Sequence, residues 1–191
     1  MNKPSYHHGD LRAALIEEAL AQIERGNLED LSLREVARSV GVSATAVYRH
    51  FPSKDDLLKA LAQHGLVLLG EQQRKAAAKF SGEEAFAQTG RAYVRFALKH
   101  PNLFRLVFIH SPGHMRQDTD GPEGSAAWQL RHNVAMALGP DATREQVFAA
   151  VLRAWALVHG LAMLILDGQV DRKAAEALID QVIVAERSHS Q

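Results

Sequence analysis

Tyr48, Arg49 and His50 stand in succession, and Lys54 follows just past Phe51-Pro52-Ser53. Phenol, guanidinium, imidazole and ammonium groups all donate hydrogen bonds, and all four suit phosphate oxygens. Lys54 also opens Ser53-Lys54-Asp55-Asp56, a Ser-x-x-acid helix start whose backbone N–H groups favour an anion. Other chemistry is poorly served. The 191 residues include no cysteine, which removes disulfides, thiol nucleophiles, iron–sulfur clusters and thiolate zinc sites. His110 and His114 have the four-residue spacing of a helical metal pair, but Pro112-Gly113 between them breaks that geometry. His7 and His8 are adjacent and point apart; with Tyr6 and Arg12 they read as an arm near phosphates. No Ser/His/acid set, glycine-rich phosphate loop or carboxylate pair in an apolar setting is present. The expectation is a protein that is not an enzyme and holds no cofactor or metal.

The elements that must position these donors are helical. Stretches between breakers are rich in Ala, Leu, Glu, Arg and Gln, and none alternates with period two. A first helix is predicted from Gly9 to Arg25, with Leu11, Leu15, Ile16, Ala19, Leu20 and Ile23 on one face and Gly26 as its cap. Ser32-Leu33-Arg34-Glu35 has the spacing of a capping box, and its helix stops at Gly41. Ser43 caps a second short helix that ends before Phe51-Pro52. A longer helix runs from Ser53 to about Lys79. Helices follow over Glu83–Lys99, from Pro101 through Phe108, and near Ser125–Leu138, Arg144–Leu166 and Arg172–Arg187, with a loop over 111–124.

The stretch Leu31–Leu58 therefore reads as two short helices joined by Val40-Gly41-Val42-Ser43, the signature of a helix-turn-helix. Val47 packs inward against Val36 and Val40, leaving Ser43, Ala44, Thr45, Tyr48 and Arg49 on or near the outer face. A plain helical hairpin in a bundle would use Gly41 and Ser43 in the same way. It would have no use for an exposed Tyr48-Arg49-His50 leading into a capped helix.

Charge is informative only when divided. The whole chain has 22 basic and 22 acidic residues. Residues 1–64 carry eight bases and nine acids, so neither part of the chain is basic overall. Yet from Arg38 to Lys54 there are three cations and no acid, whereas Glu17, Glu18, Glu24, Glu29 and Asp30 crowd the first helix and the turn after it. Polarity inside a small domain, not its total charge, is what a polyanion partner requires.

Taken together, Tyr6-His7-His8-Gly9-Asp10-Leu11-Arg12, Leu33-Arg34-Glu35-Val36-Ala37, Gly41-Val42-Ser43 and Val47 through Leu58 resemble the N-terminal domain of the TetR family of bacterial transcriptional regulators. The likeness spans roughly residues 6–64 and includes motif order and spacing. It implies an all-α protein. A three-helix DNA-binding domain over 1–64 would precede a larger helical domain over 65–191 for ligand binding and dimerisation. It implies contacts to a DNA operator through Ser43, Thr45, Tyr48, His50 and Lys54. Arg34, Ala44 and Arg49 join that set on the residue chemistry. The family's regulators are typically cytoplasmic dimers whose DNA affinity falls when a small molecule binds. Trp155, His159 and Gly160 have the W-x-x-x-H-G spacing of one subgroup that shares a C-terminal domain type without sharing a ligand.

Small side chains at the start of the second short helix can touch thymine methyls or make single hydroxyl bonds, but not bidentate contacts to purines. Phosphate contacts would then carry much of the affinity, which should fall steeply with salt, and two copies would be needed. The thirteen apolar residues Ala154–Leu166 are too few for a membrane span, which needs about 20. They read as half of a homodimer interface, with a stripe at Ala174, Ala177, Leu178, Gln181, Val182 and Ala185; a single monomeric core is the alternative. Nine of the twelve aromatics lie beyond residue 64. Phe104, Phe108, Trp128 and Trp155 are the candidate walls of a pocket for an apolar or amphipathic effector, with His159 as a polar contact; each taken singly also reads as packing. A constitutive DNA-binding protein without an effector is the remaining alternative.

Overall fold

The computed structural model describes residues 11–26, 28–110, 123 and 125–185. The Tyr6-His7-His8 arm, His114, the start of the first helix before Leu11, most of the 111–124 loop and the end of the last helix lie outside that range. The described residues are helical, with no strand among them. The helices are α1 (Leu11–Arg25), α2 (Leu33–Val40), α3 (Ala44–His50), α4 (Lys54–Ala77), α5 (Gly82–Lys99), α6 (Pro101–His110), α7 (Ala126–Leu138), α8 (Arg144–Leu166) and α9 (Ala175–Val182). Short 3-10 turns stand at Leu28–Asp30 and Arg172–Ala174. The predicted last helix is thus shorter than its apolar pattern suggests. Asp171 bonds the Lys173 N–H at 2.8 Å and begins a 3-10 turn, so the α-helix starts only at Ala175.

The chain forms two compact units. The first contains α1, α2, α3, the part of α4 through Gly65, and residues 102–110. Its core is Leu15, Ala19, Ile23, Val36, Val47, Leu57 and Leu61, each fully buried. Leu103, Phe104, Leu106 and Val107 of α6 are buried as well. They approach α4 so closely that a Cβ on Gly65 would lie 2.8 Å from Val107 Cγ2 and 2.9 Å from Leu103 Cδ1. Asn102 adds a polar clasp. Its Nδ2 donates to the carbonyls of Ile23 at 2.7 Å and Gly26 at 2.8 Å, groups that the end of α1 leaves without helical partners. Gly26 closes onto the Gln22 carbonyl at 3.0 Å, but without the left-handed backbone of a glycine cap.

The second unit holds the rest of α4, α5, α7, α8 and α9. Here α5 packs along α8 with Val94, Phe96 and Ala97 buried, and α7 lies against α8. Arg95 pins α9 to α5 through Glu176 at 2.9 Å and Asp180 at 3.1 Å. A complete capping box of Thr143 and Gln146 fixes the start of α8. Among the described helices α8 is long and apolar enough to cross a bilayer by length and composition. In this fold Val151, Leu161, Ala162 and Ile165 are packed inside the second unit.

Candidate functional site

The first candidate site is built on α2 and α3. Gly41 ends α2 at φ 78° and ψ 28°, the left-handed region that a side chain disfavours, and its N–H returns to the last carbonyls of α2. Two residues later Ser43 caps α3, its Oγ accepting from the Ala46 N–H at 3.2 Å. Val47 is fully buried and fixes the rotation of α3 about its axis. With that residue inward, Thr45, Tyr48 and Arg49 are exposed, Tyr48 to 44%, while Ala44 and His50 are half-buried. Arg34 is exposed on α2. Among the described residues Arg34, Thr45, Tyr48, Arg49 and His50 make no side-chain hydrogen bond or ion pair. They form a set of donors without internal acceptors.

The neighbouring cations behave differently. Arg38 Nη2 lies 2.6 Å from Glu35 Oε1, so its charge is shared. This pair also replaces the expected box at Ser32, whose side chain makes no capping bond; the Glu35 carboxylate that should reach back is held by Arg38. The Lys54 ammonium donates to the Glu29 carbonyl at 2.7 Å and ties the start of α4 to the turn after α1. At Ser53 the hydroxyl cap forms, but Asp56 answers the hydroxyl and not the backbone N–H. Asp56 N–H donates to Ser53 Oγ at 3.1 Å, and the hydroxyl donates to Asp56 Oδ2 at 2.7 Å. On the next turn the Lys59 ammonium, 2.6 Å from Asp55, holds that carboxyl below its usual range. His110, read as half of a failed metal pair, instead faces Asp55 with Nδ1 3.4 Å from Oδ1. An open groove between α1 and α2 presents Glu17 and Glu18, the wrong sign for phosphate.

The aromatic set named from the sequence divides between the units. Phe104 and Phe108 belong to the first unit and meet edge-to-face at 4.9 Å. Trp128, Trp155 and His159 belong to the second. Trp128 is half-buried and stacks on His132 with ring centroids 5.0 Å apart. Trp155 and His159, one turn apart on α8, converge on Tyr93 of α5. The indole Nε1–H donates to the Tyr93 oxygen at 3.0 Å, and that oxygen is 3.0 Å from His159 Nδ1. An indole only donates, so the tyrosine oxygen accepts from Trp155, and the direction of its bond with His159 follows the imidazole tautomer. Burial drives the Tyr93 hydroxyl well above its usual pKa, which the Trp155 bond opposes more weakly. Tyr93 is absent from the candidates named in the sequence; the i, i+4 spacing of Trp155 and His159 was the available signal.

The family model for bacterial regulatory proteins of the tetR family matches residues 15–61, and that for the tetracyclin repressor-like C-terminal domain matches residues 86–185. Among solved structures, a protein of unknown function from Rhodococcus sp. RHA1 is 29% identical; the match covers 96% of this chain and 100% of that one, with TM-score 0.70. A TetR variant from Acinetobacter baumannii AYE, in complex with minocycline, is 17% identical over 94% of this chain and 95% of that one, with TM-score 0.62. BioQ, solved with its natural double-stranded DNA operator, is 19% identical over 94% and 99%, with TM-score 0.59.

Proposed function

The chain belongs to the TetR family of bacterial regulators, and from that premise we propose that it is a ligand-responsive dimeric repressor of transcription. It binds a palindromic DNA operator through α2 and α3, and releases it when a small apolar or amphipathic molecule binds the second unit. The observation that carries the reading is the row of donors on α2 and α3, Arg34, Tyr48 and Arg49, left without acceptors in a cap-and-turn geometry that buries Val47. Thr45 lies beside them, and Ser43, His50 and Lys54 complete the contact set; Ala44 lines its edge. BioQ, of similar fold, is solved on a DNA operator, which supports the partner class.

Dimerisation has its own support. Leu157 and Leu164 of α8 are each 48% exposed, and Leu152, Ala177, Val182 and Val184 are exposed as well. An apolar face of this kind on two helices suits a four-helix interface with a second copy. In such a dimer, two copies of α3 meet successive major grooves about 34–36 Å apart, and a ligand that favours another spacing releases DNA. A TetR variant of similar fold holds minocycline, which supports an effector of drug-like size. Trp128, Trp155 and His159 are the second unit's candidate contacts for it. The cell compartment that suits this work is the cytoplasm, and no catalytic step is assigned.

Tyr48→Ala tests the reading. Tyr48 is exposed and supports no described contact, so the variant folds and dimerises as the parent does. Loss of one phosphate bond per protomer, roughly 1 kcal/mol each, weakens duplex binding about 30-fold for all sequences alike. A folded, dimeric variant with unchanged affinity overturns the assignment.

A further inference from the structure

We infer that the operator is read chiefly through thymine C5-methyl groups, with Thr45 at the centre of the reading surface and Ala44 and Ala46 on its flanks. The inference rests on the DNA-binding reading above and names the bases that reading leaves open. With Val47 turned fully inward, a helix of 3.6 residues per turn places Thr45 and Arg49 about 160° and about 200° round from it. They share the outermost line of α3, with Tyr48 to one side and Ala46 to the other.

The first turn of α3, which would enter a groove foremost, thus offers only methyl groups and one hydroxyl: the Ala44 and Ala46 Cβ atoms, and the Thr45 Cγ2 and Oγ1. None can make the paired bonds that guanine or adenine requires. The long donors stand elsewhere. Arg49 lies one turn later, Arg34 is on α2, Arg38 is paired with Glu35 at 2.6 Å, and Lys54 is engaged by the Glu29 carbonyl at 2.7 Å. The Thr45 methyl, exposed on that outermost line, fits the one base carrying a methyl in the major groove, with the half-buried Ala44 and Ala46 too small to reach past it. The Thr45 hydroxyl, free of any described partner, adds one adaptable bond to a base edge.

The test begins with selection of a random-core duplex library on the full-length wild-type protein. The enriched duplex is then resynthesised with deoxyuridine in place of thymidine, one symmetric pair of positions at a time. Loss of one buried methyl is worth roughly fourfold, so a pair of positions, one per half-site, should cost about 15-fold. In Thr45→Ser, which keeps the hydroxyl and loses the methyl, the preference for thymine over uracil at one of those pairs should fall to near unity while the duplex is still bound. The inference is overturned if every uracil pair costs less than twofold while 7-deazaguanine at a selected guanine costs more than tenfold; readout then belongs to Arg49 or Arg34. If no duplex is enriched, the DNA-binding reading itself fails, and this one with it.

Discussion

Glu35→Gln should tighten the protein's grip on DNA. The Glu35 carboxylate lies 2.6 Å from Arg38 Nη2, and the two side chains are 51% and 78% exposed. Glutamine retains an oxygen that can accept from Arg38, so local geometry survives while the neutralising charge goes. The fold loses little. An exposed pair contributes about 0–1 kcal/mol and an acid in the first turn of a helix about 0.3–1, so stability falls by no more than about 2 kcal/mol. Each protomer gains one positive charge beside Arg34, two in a dimer. With about 0.9 counterions released per phosphate neutralised, the salt slope of binding steepens by up to ~1.8. Between 200 and 50 mM salt that amounts to roughly a 12-fold larger gain in affinity than the parent shows. Anisotropy of a labelled 30-base-pair duplex of arbitrary sequence measures it, because this term is independent of sequence. Asp141→Asn, an exposed acid in the turn before α8, changes net charge equally and should leave the slope as it was. Equal slopes for Glu35→Gln and the parent, or weaker binding by the variant, refute the placement of phosphates against α2.

Two further outcomes follow from bonds that the sequence does not show. Tyr93→Phe removes the oxygen shared by the Trp155 indole and His159, and should cost about 2–3 kcal/mol in urea unfolding. Because the folded state raises the Tyr93 pKa, the stability it contributes is whole below about pH 10 and declines as pH rises beyond it. The gap between parent and variant should therefore shrink above pH 10, and a gap independent of pH contradicts the burial argument. Asn102→Ala gives up both bonds to the end of α1 and should cost about 1–2 kcal/mol in thermal unfolding. Asn102→Asp should be worse than alanine, since a carboxylate cannot donate and meets the negative end of α1; an aspartate variant as stable as the parent refutes the clasp.

Local features were legible because their physics is local. Gly41 had to close α2 and Ser43 had to cap α3, and both do so within three residues of the positions that signalled them. The same rule failed at Ser32, where the pattern was equally good. There two nearby groups compete for one carboxylate, and Arg38 at i+3 takes it from the cap. A motif states which bonds are available, not which competitor holds them. The stopping point of α9 shows the same limit, because Asp171 starts a 3-10 turn ahead of an apolar stripe that alone reads as one continuous helix. What no window could show are the bonds of long sequence separation. Asn102 to Ile23, and Tyr93 to Trp155 and His159, join residues whose partners become identifiable only once α6 and α8 are packed.

The charge balance illustrates how structure alters a count. Read linearly, the interval from Arg38 to Lys54 is free of acid and holds three cations. In three dimensions Glu35, just outside the interval, reaches in to share Arg38, and Lys54 is held by a backbone carbonyl. Arg34, outside the interval on the same side as Glu35, takes their place with Arg49. Among the described residues the face is therefore cationic through two guanidinium groups per copy that have no ion-pair partner, Arg34 and Arg49, with Tyr48 and His50 as further donors. Two guanidinium groups make a weak hold on a polyanion whose contacts are screened by salt. In the proposed dimer that face is doubled, and the exposed apolar residues of α8 and α9 are what would hold the two copies together. On this argument the charge of the first unit and the unpartnered surface of the second are one design, and a monomeric form should bind duplex DNA poorly even with its α3 intact.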